Sequence, residues 1–329
     1  MHPTVVELKQ RLLAVPEVLE RVASSPLPDV SALAGRRLLL TGVGMSEAVG
    51  RFAEAVFRHH LALPVAALPL SSFHAEHVAS QGDALVVLSQ GVSPNARLAL
   101  ARAREFPAAL LVTARSAEEA HAAGLPAGAA VWTLPLEREA GFLTRVQGPL
   151  ATALAAVRLG YHLAGRAPSV ELASVPRAVS ASIARGLQLG AEWPLEVRRA
   201  PLLATGWYAR TLELLAWAWM ETWWVEPPPV WDVLQTAHGP WQQWSTRAET
   251  LLALRRPDDV PDLWPRLEQM LSPAQRLVSL EATLPAPWAW FEHAAQVLGL
   301  LVGVLERQPV DLSQWPGRGG DGPLYDLGP

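Results

Sequence analysis

Cysteine is absent from the 329 residues, and lysine occurs once, as Lys9. Without cysteine there is no thiol nucleophile, disulfide framework, zinc–cysteine site or iron–sulfur cluster. Without a lysine behind a glycine-rich turn there is no Walker-type phosphate loop. A Schiff-base mechanism would have to run through Lys9, which lies in an amphipathic stretch near the N-terminus. No uninterrupted apolar run of about 18 residues occurs, and no signal-peptide h-region, so a cytoplasmic protein that does not enter a membrane is expected. A net charge of -4 gives no electrostatic ground for binding nucleic acid.

What is present suits a folded chain. Hydrophobic residues make up 50% and charged residues 18%, enough to bury the core of one large or two medium domains. The preference for arginine over lysine fits either a GC-rich genome or heat adaptation.

A first helix is expected over 5–22, interrupted by Pro16. Short apolar runs then alternate with helical stretches. Strands are predicted at 37–41, 65–70, 84–89, 109–113 and 130–134, with helices at 47–59, 95–105, 117–123 and 149–163. After Gly165-Arg166-Ala167-Pro168 comes a helix over 175–189, and the pattern restarts. Strands at 201–205, 251–254 and 277–282 and helices at 209–224, 262–271 and 288–305 follow. This alternation predicts βαβ units and parallel sheets covered on both faces. The fold class is therefore α/β, with two doubly wound parallel-sheet domains (αβα sandwiches) in tandem, over 1–166 and 167–329. Each half has a strand that stops at glycine, Gly42 or Gly206, about 164 residues apart, which suggests duplication.

Ligands of open parallel sheets bind outside the carboxyl ends of the strands. Two such turns carry hydroxyls. Thr41-Gly42-Val43-Gly44-Met45-Ser46 follows a strand and opens a helix, and so does Ser89-Gln90-Gly91-Val92-Ser93-Pro94-Asn95. Either alone reads equally as a capped turn. Together they suit a phosphate monoester held by neutral donors. His74 and His77 could face one way, but no third metal ligand accompanies them, so no metal is expected. Eight of the 14 tryptophans lie between Trp207 and Trp244, read first as core or dimer interface and second as a sugar-stacking surface.

These turns, with Glu221-Thr222, Ala237-His238-Gly239-Pro240 and Pro309–Gln314, resemble the sugar isomerase (SIS) family. The likeness is to its double-domain members: the isomerase half of glucosamine-6-phosphate synthase and related phosphosugar deaminases and deglycases. It implies two SIS-like domains, no cofactor, a sugar phosphate as ligand, and a homodimer with active sites at the interface. Ser46, Ser89, Gln90 and Ser93 would hold the phosphate, with Gly44, Met45, Ser313 and Gln314 in the substrate pocket. Glu221 would move a proton between C1 and C2 of the open-chain sugar. His238, supplied by the second subunit, would assist ring opening. A glutamate buried in the tryptophan-rich helix (Trp217, Trp219, Trp223, Trp224) would make a stronger base.

The pattern is broken in five places. The second phosphate turn is one residue short and lacks a serine. Thr144-Arg145 stands where relatives carry Thr-Lys. Ala218 aligns with one active-site lysine of the synthase-like members, and Gln314 with another. Glu221 and His238 are one residue further apart than usual. Lost lysines remove cations that would stabilise charge on the sugar oxygens, and Arg145 or Arg210 can replace charge but not proton donation. Two functions stay open: a phosphosugar isomerase or amino-sugar-phosphate deaminase/deglycase, and a non-catalytic phosphosugar-binding sensor.

Overall fold

The computed structural model describes residues 2–75, 78, 81–137 and 139–327. The chain divides into two compact units: Met1–Pro16 with Ser174–Ser313, and Glu17–Ala173 with Gln314–Pro329. A single boundary at 166/167 therefore does not describe the folded chain, because each terminal segment joins the unit built mainly from the other half. For the N-terminus the cause is visible. Val5, Leu8 and Leu12 are buried, and Lys9 pairs with Glu306 at 2.7 Å.

The helix expected over 5–22 is two helices, α1 (Pro3–Leu13) and α2 (Val15–Ser24). Pro16 has no N–H to give the preceding turn, but it fits the first turn of a new helix.

In the unit built from 17–173 the order is β1 (Arg37–Thr41), α3 (Met45–Ala55), β2 (Val65–Ala67), α4 (Ser72–Ala75), β3 (Asp83–Leu88), α5 (Arg97–Arg102), β4 (Ala109–Thr113), α6 (Ala117–Ala122), β5 (Ala130–Thr133) and α7 (Gln147–Leu163). All strands are parallel, in the order β2-β1-β3-β4-β5. Every residue of β3 and β4 is buried, which is why these strands read as continuous apolar runs rather than alternating ones.

The unit built from 174–313 contains α8 (Ser174–Glu192), β6 (Leu202–Ala204), α9 (Glu213–Trp223), β7 (Val230–Asp232), α10 (Pro240–Trp244), β8 (Glu249–Arg255), α11 (Leu263–Met270), β9 (Gln275–Glu281) and α12 (Ala289–Arg307). Its parallel sheet runs β7-β6-β8-β9, the strand order of β2-β1-β3-β4. The three-residue β7 was not foreseen, because the prolines before it mask so short a strand. The helix expected from 209 begins as a 3-10 segment, Gly206–Thr211, and becomes α-helical only at Glu213.

Four glycines lock α8 to α12. A Cβ on Gly186 would lie 2.3 Å from the Gln296 carbonyl oxygen, and one on Gly190 equally close to that of Leu300. A Cβ on Gly299 would lie 2.8 Å from the Ile183 carbonyl oxygen, and one on Gly303 2.7 Å from that of Leu187. The two backbones touch where a side chain would normally stand. A short helix, α13 (Gly322–Tyr325), lies in the tail.

Candidate functional site

The two hydroxyl-bearing turns leave adjacent strands, β1 and β3, with Thr41 registered against Val87. They run side by side: a Cβ on Gly42 would lie 2.9 Å from the Leu88 carbonyl oxygen and 2.8 Å from the Ser46 backbone. Only glycine fits there. The N-cap of α3 is Gly44, at φ 57 and ψ -131, with no side-chain cap. Ser46 is thus a half-buried residue of the first turn rather than its cap, and Met45 is buried beside it.

Ser89 is buried at the end of β3. The Ser93 hydroxyl donates to Asn95 Oδ1 at 3.0 Å. Between them Val92 turns at φ 52, a conformation that strains a β-branched residue. Gln90 accepts from the Ala114 N–H and the Thr113 hydroxyl on its backbone carbonyl. Its side chain lies over Gly148, where a Cβ would come within 2.4 Å of its amide, and Gln90 Nε2 is buried with no partner.

Sequence reasoning missed Glu139. Its buried carboxylate accepts from the backbone N–H of Val146 at 3.0 Å and of Gly148 at 2.7 Å, closing the start of α7. Capping from eight residues upstream leaves no local capping-box spacing to detect. It also missed the state of Thr41, whose buried hydroxyl has no partner. Thr41, Glu47, Arg51 and Leu68 line a cavity of about 280 Å³ beside the first turn.

In the other unit, Glu221 is buried two residues before the end of α9. Trp219 packs edge-on to Trp193 and Trp223, with ring centroids 6.0 and 5.0 Å apart. Of the eight tryptophans between Trp207 and Trp244, Trp219, Trp223 and Trp244 are buried and the other five are half-buried. His238 is exposed on the turn before α10, next to Gly239 at φ 118. The Ser313 N–H and hydroxyl both donate to Asp311 Oδ1, at 3.0 and 2.7 Å. Gln314 is exposed. Of the arginines weighed as lysine substitutes, Arg145 donates to the nearby Phe142 carbonyl and Arg210 is exposed.

The turn after β6 is closed by the protein's own carboxylates. Thr205 donates to Asp259 Oδ1 at 2.6 Å, and the Gly206 N–H donates to Asp232 Oδ2 at 2.6 Å. Asp259 also accepts from Trp264 Nε1 at 2.8 Å and pairs with Arg256 at 2.7 Å. Burial alone would raise the Asp259 carboxyl. The hydrogen bonds from Thr205, the Arg256 backbone and Trp264, with the Arg256 charge, hold it below its ordinary value. Arg256 lies 4.3 Å from the centroid of the Tyr208 ring. The Tyr208 hydroxyl meets His293 Nδ1 at 2.7 Å. His293 Nε2 faces two carbonyls, of Arg255 and Leu280, so it carries the ring proton and Nδ1 accepts. Burial, with the Arg256 charge adding to it, lowers His293 to about 4 and keeps it neutral.

Among the described residues no group of three or more His, Asp or Glu is arranged to hold a metal, and no helix is long and apolar enough to cross a membrane. His74 is exposed, and His77 lies outside the described residues.

No family profile and no curated protein sequence matches the chain. Solved structures do. The C-terminal domain of glucosamine-fructose-6-phosphate aminotransferase from Francisella tularensis superposes with a TM-score of 0.73 at 14% identity, covering 94% of this chain and 98% of that one. Glucosamine-6-phosphate deaminase from Thermotoga maritima gives 0.75 at 12% identity, covering 94% and 97%. Tagatose-6-phosphate ketose/aldose isomerase from Escherichia coli gives 0.73 at 13% identity, covering 93% and 94%. The fold is that of the SIS-domain phosphosugar isomerases.

Proposed function

We propose that the chain binds a hexose 6-phosphate, its phosphate held at the turns after β1 and β3 by Ser46, Ser89, Gln90 and Ser93. One observation carries this reading. Those two turns are pressed together at the carboxyl ends of adjacent strands, and the buried Thr41 hydroxyl between strand and turn has no protein partner. An uncompensated buried hydroxyl is costly, and the oxygens of a bound phosphate relieve that cost directly or through water.

On that reading the reaction is proton transfer between C1 and C2 of the open-chain sugar, ending in isomerisation or in loss of an amine. Glu221, buried in α9, is the base. His238, exposed on its own chain, serves ring opening in a second copy. Gly44, Met45, Ser313 and Gln314 shape the sugar pocket.

The lysine count favours a second reading. The one lysine is bound to Glu306, on α12, so no ammonium group remains for the sugar oxygens. A sensor that binds and does not turn over would look the same at the phosphate turns. A coupled assay with fructose 6-phosphate, glucosamine 6-phosphate and an amine-conjugated fructose phosphate separates the two. Turnover abolished by Glu221→Gln establishes the enzyme. Thermal stabilisation without turnover establishes the sensor.

A further inference from the structure

The unit built from 174–313 holds a second concavity, of about 480 Å³, a size usual for small-molecule sites. Arg198, Arg307, Trp223, Trp224 and Val310 are among the residues lining it. It lies at the amino-terminal edge of its sheet. Arg198 precedes β6, and Trp223 ends α9 after that helix has run back from the carboxyl end of the strand. The Thr205–Tyr208 turn is at the opposite edge.

Its chemistry is one-sided. Two guanidinium groups line the cavity and no carboxylate does. Of the acids close in sequence to the lining, Glu306 pairs with Lys9 at 2.7 Å, Glu226 with Arg199 at 2.8 Å, and Asp311 accepts from the Ser313 hydroxyl at 2.7 Å, while Glu221 is buried in α9. Arg198 stacks on Trp223, 5.7 Å from the ring centroid, and reaches Gln308 Oε1 only at 3.5 Å. Arg307 is anchored by the Gly190 and Trp193 carbonyls at 3.3 and 2.6 Å. These contacts hold both planes in place without neutralising either charge. Trp223 and Trp224 both line the cavity, and their indole N–H groups are buried with no acceptor. Positive charge therefore stands without an acidic partner in the lining, beside an apolar surface.

We propose that this cavity binds a small organic acid. Its carboxylate meets Arg198 and Arg307, the side chains best shaped for bidentate pairing with a planar anion. Its apolar body lies against Trp223, Trp224 and Val310. The site shares no residue with the proposed phosphate turns.

Titrating the ¹⁵N-tryptophan-labelled full chain with octanoate tests this, with the indole signals assigned from Trp223→Phe and Trp224→Phe. The Trp223 and Trp224 N–H resonances are expected to shift saturably. Arg198→Gln, at an exposed position, should raise the Kd at least tenfold and leave fructose 6-phosphate binding unchanged. 1-Octanol, which keeps the body and lacks the charge, should give no saturable shift, and inorganic phosphate should bind at least tenfold more weakly than octanoate. The proposal is overturned if octanoate produces no saturable shift, or if octanol or phosphate matches it. An unchanged Kd in Arg198→Gln overturns it too.

Discussion

Thr41 and Thr205 stand at corresponding places, 164 residues apart, Thr41 ending and Thr205 directly following an interior strand, each before a glycine. Thr205 gives its hydroxyl to Asp259 at 2.6 Å, whereas the buried hydroxyl of Thr41 has no partner. One of two similar crevices is thus closed by an internal carboxylate, and the other leaves its threonine hydroxyl unpaired.

If Asp259 is an internal anion, removing it leaves the buried Arg256 charge without its counterpart. Asp259→Ala is expected to cost about 3–5 kcal/mol, and Thr205→Val about 1 kcal/mol. Urea unfolding monitored by tryptophan fluorescence gives both numbers. Equal and small losses would mean that the Arg256 pair is spread over other partners.

His293 makes stability depend on pH. The unfolded histidine takes up a proton near 6.5, whereas the folded one resists until about 4. The unfolded chain therefore binds more protons in that window, and acid favours unfolding. The full contribution, about 3 kcal/mol at most, is present above pH 6.5 and is lost as the pH falls toward 4. The urea midpoint should drop between pH 7 and 5. In His293→Gln that part of the drop should vanish.

The helix pair α8–α12 should not tolerate a methyl group at its contact. In Gly190→Ala the new Cβ falls 2.3 Å from the Leu300 carbonyl oxygen. Backbone shifts of the kind needed cost about 1–3 kcal/mol, which a thermal melt would show. Gly128→Ala, where a Cβ meets nothing within 4 Å, is the control.

Much of this architecture was legible in the residues. The strand at 109–113 matches β4, and β3 differs from its expected range by a residue at each end, because buried parallel strands are written as unbroken apolar runs. The turns after β1 and β3 were legible as glycine- and hydroxyl-bearing loops that leave strands and open helices. Glu139 and the Thr205–Asp259 bond were not. Each depends on partners brought together from separate segments, and periodicity carries no record of them. Nor could the sequence show that α1 joins the later half, a choice made by packing of Val5, Leu8 and Leu12.

Lys9 illustrates the same limit from the other side. It was the one residue through which a Schiff-base mechanism could run, and it forms a partly exposed ion pair with Glu306. Lys9→Gln should cost at most about 1 kcal/mol and leave ligand binding unchanged in a calorimetric titration.

The central claim is that the turns after β1 and β3 hold a sugar phosphate. Isothermal titration of fructose 6-phosphate and glucosamine 6-phosphate into the wild type and the Ser46→Ala/Ser89→Ala variant tests it most directly. Saturable binding of at least one of them at one site per chain is expected, weakened at least tenfold in the variant with the fold intact by circular dichroism. No saturable heat from either sugar phosphate, or equal affinity in the variant, would contradict it.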